Sequence, residues 1–301
     1  MSDTVFVQAR QGFLSRTVSG LTAIWNEADV IQRVAALIAL ALVFAAVLTP
    51  LLAPHTPVAQ SLISRLAPPI GFEGFRPGYL LGTDELGRDV FSRTLYGLRL
   101  TLSLALMGAI LGLLLGGMLG LLAGIFGGVF DDVVMGAVDT QIAIPFTLIA
   151  LLILAIFGSS LIVIVCVLGI YGWEQYARII RGEVRRLKTM PFIEAAHAAG
   201  ASRGRIAVHH LLPNLVSPIV VQFTLSFSNI VLLESTLSFL GLGVQPPTAT
   251  LGAMVGTGRD YMPSAPWIVI APALAILAIT FAVQILGDWL RDRADVRLRQ
   301  R

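Results

Sequence analysis

The segment Glu194–Gly200 carries side chains suited to contact with another molecule. It is a short charged stretch between long apolar segments. Pro191 can occupy the first turn of a helix, where its missing N–H costs nothing, and Gly200 can end that helix in a left-handed conformation. At helical spacing Glu194 and His197 pair at i,i+3. Another side of the helix is nearly flat and consists of Phe192, Ala195, Ala196 and Ala199. These residues predict a docking helix.

A second helix is predicted to follow the first. Ser202 can cap its first turn, and Pro213 is expected to end it. His209 and His210 lie on this helix and point about 100° apart, so they are poor joint ligands for a metal. No other His or Cys spacing suits a metal ion, and no metal site is predicted.

The sequence lacks a site for nucleotide chemistry or hydrolysis. Gly182–Thr189 approaches a phosphate-binding loop, but Leu187 stands where a glycine must let the backbone approach the phosphate. The HExxH and GxSxG motifs are missing from the sequence, and the single cysteine, Cys166, lies in an apolar run. We therefore predict that the chain is not an enzyme and holds no cofactor itself.

The pattern that runs from Glu194 to Pro213 resembles the EAA signature of the membrane subunits of ABC importers. The residues that match the signature are Glu194, Ala195, Ala196, Gly200, Leu212 and Pro213. His210 stands where the broad family often has Ile, and His is usual there in the peptide and nickel branch. Three further segments resemble the same branch: Leu81–Val90, Glu234–Pro247 and Leu286–Asp288.

This resemblance implies an all-α, type I ABC importer permease fold in the inner membrane of a bacterium, forming half of a paired pore. It implies as partners a sister permease subunit, two ATP-binding subunits, an extracytoplasmic solute-binding protein and membrane lipid. ATP and Mg²⁺ would bind to the partner subunits, and the EAA segment would couple their movement to transport. The implied solute is a peptide or similar small molecule, with nickel and glutathione as alternatives.

The elements that must position these residues are membrane spans. Apolar residues make up 56% of the chain and charged residues only 13%, which indicates a polytopic membrane protein. Because so little of it is soluble mass, the basic surplus does not indicate a nucleic-acid surface. Apolar runs predict about six spans: Val34–Ala53, Thr101–Phe126, Val133–Phe157, Leu161–Tyr176, Ser217–Leu240 and Pro266–Gly287.

The distribution of arginine and lysine predicts the orientation of the chain. Basic residues concentrate in Arg178–Arg205 and in the C-terminal tail, whereas the loop before the last span offers only Arg259. The positive-inside rule then places both termini in the cytoplasm. The predicted organisation is a cytoplasmic segment at 1–33, a first span at 34–53, a periplasmic loop at 54–99, a core at 100–290 with a coupling loop at 178–216, and a basic cytoplasmic tail at 291–301.

Glycine recurs at every fourth position of the second span. Such a seam lets helix backbones approach closely where hydrophobic burial cannot drive association. The sequence favours packing within one subunit, with a dimer interface as the alternative. The seam consists of Gly108, Gly112, Gly116, Gly120 and Gly124, and continues to Gly128.

Asp139 and Glu234 interrupt otherwise apolar spans, and an ionisable residue in a span is a candidate functional site. Both lie near the ends of their spans, so we favour structural hydrogen bonds to a neighbouring helix and keep a gating role as the alternative. Residues 1–29 fit either a membrane-surface amphipathic segment or a partly ordered tail.

A secondary transporter or channel is the competing class. Such proteins often carry charged residues at the bilayer midplane and show internal repeats. Here the midplane is almost uncharged and no repeat is evident, while a docking segment is present. These features favour the ABC permease.

Overall fold

The computed structural model describes residues 27–299 and consists of helices joined by short connections and one long loop. The predictions for residues 1–26 and for the last two residues lie outside this part. No β-strand is described between residues 27 and 299, and the all-α prediction is confirmed. The α-helices are α1 (Val30–Val47), α2 (Thr49–Leu52), α3 (Val90–Phe126), α4 (Gly128–Ala143), α5 (Phe146–Phe157), α6 (Leu161–Ile170), α7 (Trp173–Lys188), α8 (Pro191–Ala198), α9 (Arg203–Ile206), α10 (Leu212–Phe239), α11 (Leu251–Gly258) and α12 (Trp267–Arg299).

Within residues 27–299, five helical units are long and apolar enough to cross a membrane. They are α1, α3, α6 with α7, α9 with α10, and α12. A sixth unit is the pair α4 and α5, which is bent by 89°. The bend lies at Pro145, because proline lacks the N–H that a continuous helix needs and forces the preceding Ile144 into an extended conformation. About six spans were predicted, which agrees with six if the bent pair crosses the membrane as one span and with five if it is a re-entrant loop.

Several helices extend beyond the predicted spans. Helix α3 begins at Val90, inside the predicted loop 54–99, because the Asp89 side chain accepts a hydrogen bond from the Ser92 amide at 3.0 Å and caps the helix there. Helix α12 continues to Arg299 and includes most of the predicted tail 291–301. Helix α7 carries the fourth span into the predicted coupling loop 178–216 as far as Lys188. Uncharged runs mark only the apolar part of a helix, whereas backbone hydrogen bonding continues through charged residues.

Helix α3 is the centre of the fold. It packs along α7 and α6 on one side and also contacts α10, α12 and α1. The largest apolar core lies between α3, α6 and α10 and contains Leu104, Leu168 and Ile230. Helix α1 lies at the periphery, where most of its large apolar side chains are exposed. Such a face suits lipid.

A buried ionic network holds the start of α3, and we call it the α3 clamp: Asp84, Arg88 and Arg93. The Asp84 carboxylate accepts hydrogen bonds from the Arg88 amide at 2.9 Å and from Arg88 Nε at 2.6 Å. Arg93 Nε lies 3.3 Å from the same carboxylate. Arg93 also donates to the Pro57 carbonyl at 3.0 Å, so the clamp fastens the long loop to the helix.

Candidate coupling site

Helix α8 has the ends that its sequence predicts. Pro191 is its first residue, and Gly200 has a φ of +79°, which a glycine adopts without strain. The Gly200 amide donates to the His197 carbonyl at 2.9 Å, and the Ala201 amide donates to the Ala196 carbonyl at 3.0 Å. This pair of hydrogen bonds is a Schellman motif, which satisfies the last carbonyls of the helix. The helix is therefore confined to about two turns.

One residue anchors α8 to the rest of the protein. Ile193 is only 1% exposed and packs into an apolar cluster formed by α7 and by the segment after α8. Ala196, one turn further along the same face, is half-buried against this cluster. The role of Ile193 was not predicted, because one large aliphatic residue in so short a helix gives no periodic pattern. We call the cluster the α8 seat: Tyr176, Ile180, Val184, Leu187, Ile206, Leu211 and Leu215.

The remaining surface of α8 is open. Glu194 and His197 are both exposed, and among the described contacts they form no ion pair, so the predicted pairing is wrong. Both side chains extend into the solvent from the exposed surface of α8. Because Ile193 takes the inward position, most of the predicted flat side faces out. Its exposed residues are Phe192, Ala195 and Ala199, while Ala196 turns towards the seat.

The segment after α8 leads directly into a membrane span. Ser202 caps α9 by accepting a hydrogen bond from the Arg205 amide at 3.3 Å. Pro213 does not end the helix, as the sequence had predicted, but lies in the first turn of α10. The turn Ala207–Leu211 is a π turn, and the Leu212 amide bonds to the Ala207 carbonyl five residues earlier. This wider turn accommodates the proline ring without breaking the chain of helices.

The EAA residues thus fall into two groups. Glu194 and Ala195 lie on the exposed surface of α8, Ala196 faces the seat, and Gly200 closes the end of the helix. Leu212 and Pro213 lie at the start of α10 and are also exposed, whereas the neighbouring Leu211 is buried in the seat. The first group presents a surface, and the second connects it to a span.

Charged residues fasten α7 to α3 and α4 beneath the seat. The Asp131 carboxylate, 1% exposed, forms ion pairs with Arg181 and Arg185. Lys188 Nζ donates to the carbonyls of Gly124 and Ile125 at 3.2 and 3.0 Å, at the end of α3. None of these contacts was predicted. The sequence signals for them are Asp131, shortly after the glycine pair Gly127–Gly128, and the separate arginine-rich segment that begins at Arg178.

The five seam glycines lie buried on α3 and face α6 and α7 of the same chain. A Cβ atom at Gly108 would lie 2.7 Å from Leu168 Cβ, and one at Gly116 would lie 2.9 Å from Tyr176 Cβ. Such distances leave no space for a side chain. Gly120 and Gly124 are similarly crowded, whereas a Cβ at Gly112 would lie 3.2 Å from the Gly169 carbonyl oxygen. Gly128 is not part of this contact, because it begins α4 with a φ of +57° and meets nothing within 4 Å.

The two ionisable candidates occupy different environments. Glu234 on α10 is 1% exposed and accepts hydrogen bonds from Thr101 on α3 at 3.1 Å and from Ser238 at 2.7 Å. Asp139 on α4 has a side chain that is 71% exposed and pairs with Arg178 on α7 at 2.6 Å. Each side chain therefore bonds to a neighbouring helix, Glu234 in the interior and Asp139 at the surface.

Other polar side chains of the spans bond to one another. Gln141 Nε2 donates to Glu174 Oε2 at 2.8 Å, and Trp173 Nε1 donates to Gln141 Oε1 at 2.6 Å. Gln222 Nε2 donates to Gln175 Oε1 at 2.7 Å. These groups join α7 to α4 and α10.

Comparison with known proteins gives consistent matches. A family model described as "Binding-protein-dependent transport system inner membrane component" matches residues 116–296. A di/tripeptide transport system permease protein of Pseudomonas aeruginosa is 40% identical over 86% of this chain and 86% of its own. A dipeptide transport system permease protein of Escherichia coli K12 is 43% identical over 85% of this chain and 86% of its own. One with the same description from Bacillus subtilis is 38% identical, over 85% and 78% respectively.

Proposed function

Because the chain belongs to the family of binding-protein-dependent transport system inner membrane components, we propose that it is the permease subunit of an ATP-driven importer of small peptides. It forms half of the translocation path, and a sister permease forms the other half. Two ATP-binding subunits dock on the predicted cytoplasmic side. An extracytoplasmic solute-binding protein delivers the solute.

The peptide assignment is supported by relatives described as dipeptide or di/tripeptide permeases, which are 38% to 43% identical over most of the chain. We expect selectivity to reside in the binding protein. Several polar side chains of the spans are occupied with one another, as Gln141 is with Trp173 and Glu174. A tight peptide site needs oriented polar groups that remain available to the ligand.

The coupling role of α8 rests on one observation: the helix is exposed on most of its surface yet anchored by Ile193 between two spans. A partner that binds the exposed surface can displace α8, and the seat passes that displacement to α7 and α10. The glycine seam transmits the movement of α7 to α3, because backbones in direct contact move together.

ATP hydrolysis is assigned to the partner subunits. Gly182–Lys188 lies inside α7, where its amides bond within the helix and cannot cradle a phosphate. The Lys188 ammonium donates to two backbone carbonyls at the end of α3, those of Gly124 and Ile125, so it is engaged in the fold. These contacts support a chain that carries coupling without a nucleotide site or cofactor of its own.

Transport in proteoliposomes tests the function. The purified permease pair with its ATP-binding subunits is reconstituted, and uptake of a radiolabelled dipeptide is measured with and without ATP and the binding protein. We expect uptake only when both are present. Uptake that needs neither would indicate a secondary transporter, and uptake of nickel or glutathione but not of the dipeptide would overturn the solute assignment.

A further inference from the structure

Arg99 is a charged residue on a membrane-spanning helix for which no partner is found among the described residues. It lies on α3, immediately before a run of uncharged residues that continues to Phe126. Its side chain is exposed and makes no hydrogen bond or ion pair with the described part of the chain. An arginine just before the apolar part of a span lies at the level of the lipid headgroups.

Two cavities meet at Arg99. One is a crevice of about 430 Å³ between α1, α3, α10 and α12. Apart from Arg99 and Ser103, every residue that lines it is apolar. The other is a cavity of about 370 Å³ between α3 and the loops, lined by Pro57, Tyr96 and Thr248 among others. Arg99 and Ser103 line both.

The crevice is long enough for part of an acyl chain. Along α1 it extends from Ala39 to Val47, which is about 12 Å at the helical rise. Arg99 lies at the end of the crevice near Val47, and Leu106 lies deeper along α3. The apolar part therefore runs inward from the charged end, as the tail of a phospholipid runs inward from its headgroup.

We propose that this pair of cavities binds a phospholipid of the outer leaflet, with its phosphate on the Arg99 guanidinium and an acyl chain between α1 and α3. Guanidinium and phosphate form paired charge-assisted hydrogen bonds. The cavity lined by Tyr96 holds the rest of the headgroup. The lipid fills the space between the peripheral helix α1 and the core.

The charges of the site favour a lipid over the transported solute. A peptide has an amino terminus as well as a carboxylate, and its capture needs an acidic side chain near the arginine. Neither cavity is lined by an aspartate or a glutamate. The large apolar lining also accommodates a hydrocarbon chain through van der Waals contacts.

Phospholipid retained by the detergent-purified transporter complex, counted by mass spectrometry, tests the site. We expect Arg99→Gln to lose about one phospholipid per complex, since one charged headgroup contact is removed. Arg65→Gln is the matched control, because Arg65 is an exposed loop arginine outside both cavities. Ala39→Trp fills the crevice with Arg99 intact, and we expect it to lose the same lipid.

A second measurement is independent of expression or folding differences. Adding phosphatidylglycerol to the delipidated complex should raise the melting temperature of the wild type and of Arg65→Gln, but not of Arg99→Gln. Equal lipid retention and equal thermal shifts in Arg99→Gln and Arg65→Gln would overturn the proposal. Unchanged lipid retention together with reduced peptide uptake in Arg99→Gln would assign Arg99 to the solute path and would also overturn it.

Discussion

The start of α3 buries three charged side chains against one another in the α3 clamp, whereas α8 buries a single isoleucine and leaves its charges in solvent. In the clamp, the single carboxylate of Asp84 contacts both Arg88 and Arg93. Glu194 on α8 contacts no charged group among the described residues. Because a buried ion pair is costly to break and an exposed side chain is not, the two regions tolerate change differently. The clamp holds a helix in place, whereas the exposed surface of α8 is available to a partner, as the proposed coupling role requires.

The largest loss of stability is expected from the clamp. Asp84→Ala leaves the buried Arg93 guanidinium without a carboxylate and leaves Arg88 with Glu85 alone, which should cost about 3 kcal/mol. Thermal unfolding of the detergent-purified complex measures the loss. Asp260→Ala is the control, since its pair with Arg259 is exposed and should contribute less than about 1 kcal/mol. Equal melting of the two variants would show that the clamp is not structural.

A substitution in the glycine seam is expected to give the second largest loss of stability. Gly116→Ala places a Cβ 2.9 Å from Tyr176 Cβ and against the Trp173 backbone, so α3 and α7 must separate at a cost of about 2 kcal/mol. Gly117→Ala is the matched control, because its Cβ meets Ile180 at an ordinary 3.5 Å. Alanine also favours a helix over glycine by about 1 kcal/mol, so Gly117→Ala should melt at or above the wild-type temperature. A reversed order would show that the seam faces lipid.

The ion pairs of Asp131 with Arg181 and Arg185 are expected to give the third largest loss of stability when broken. Asp131→Asn removes the charge that Arg181 and Arg185 share, and we expect a loss of about 2 kcal/mol. Asp139→Asn removes an exposed charge from the same helix and should change stability by less than about 0.5 kcal/mol. Thermal unfolding compares the two variants. A larger loss of stability from Asp139→Asn than from Asp131→Asn would show that Asp131 does not hold α4 to α7.

Changes on α8 are expected to have the smallest effect on stability and a large effect on transport. Gly200→Leu forces a left-handed conformation on a branched side chain, at about 1 to 2 kcal/mol confined to the helix end. Glu194→Lys reverses a charge on the exposed surface. Dipeptide uptake should fall in both, while the complex melts close to the wild-type temperature.

The controls for the two α8 variants are a glycine and a glutamate that lie outside α8 and its C-terminal Gly200. Gly204→Leu changes a glycine that does not need a left-handed conformation, and Glu73→Lys reverses a charge on the long loop. Both should transport peptide normally. Normal uptake by Gly200→Leu and Glu194→Lys at wild-type protein levels would remove the coupling role from α8.

The comparison also separates what local sequence can predict from what it cannot. Pro191 and Gly200 define α8 because their backbone preferences act within one helix, and apolar runs define spans because the membrane demands them. The clamp and the Asp131 pairs depend on residues that meet only after folding. No local rule identified Arg99 as part of a helix, since the uncharged run that predicted the span began after it.

The predictions of helix boundaries failed for the same reason. Pro213 reads locally as the end of a helix, but the π turn Ala207–Leu211 absorbs it, and this turn is stabilised by the burial of Leu211 in the seat. Ile193 reads locally as one apolar residue among several. Only the packing of α7 and α10 around it shows that it holds α8 to the spans.

Photo-cross-linking from α8 in the assembled transporter tests the central claim most directly. A photo-reactive amino acid replaces the exposed Ala195 in one variant and the buried Ile193 in another, so the two probes differ only in their side of the same short helix. We predict that the Ala195 probe joins the permease to an ATP-binding subunit and that the Ile193 probe forms cross-links only within the permease. An Ala195 probe that never captures an ATP-binding subunit, in a complex that still transports peptide, would contradict the account.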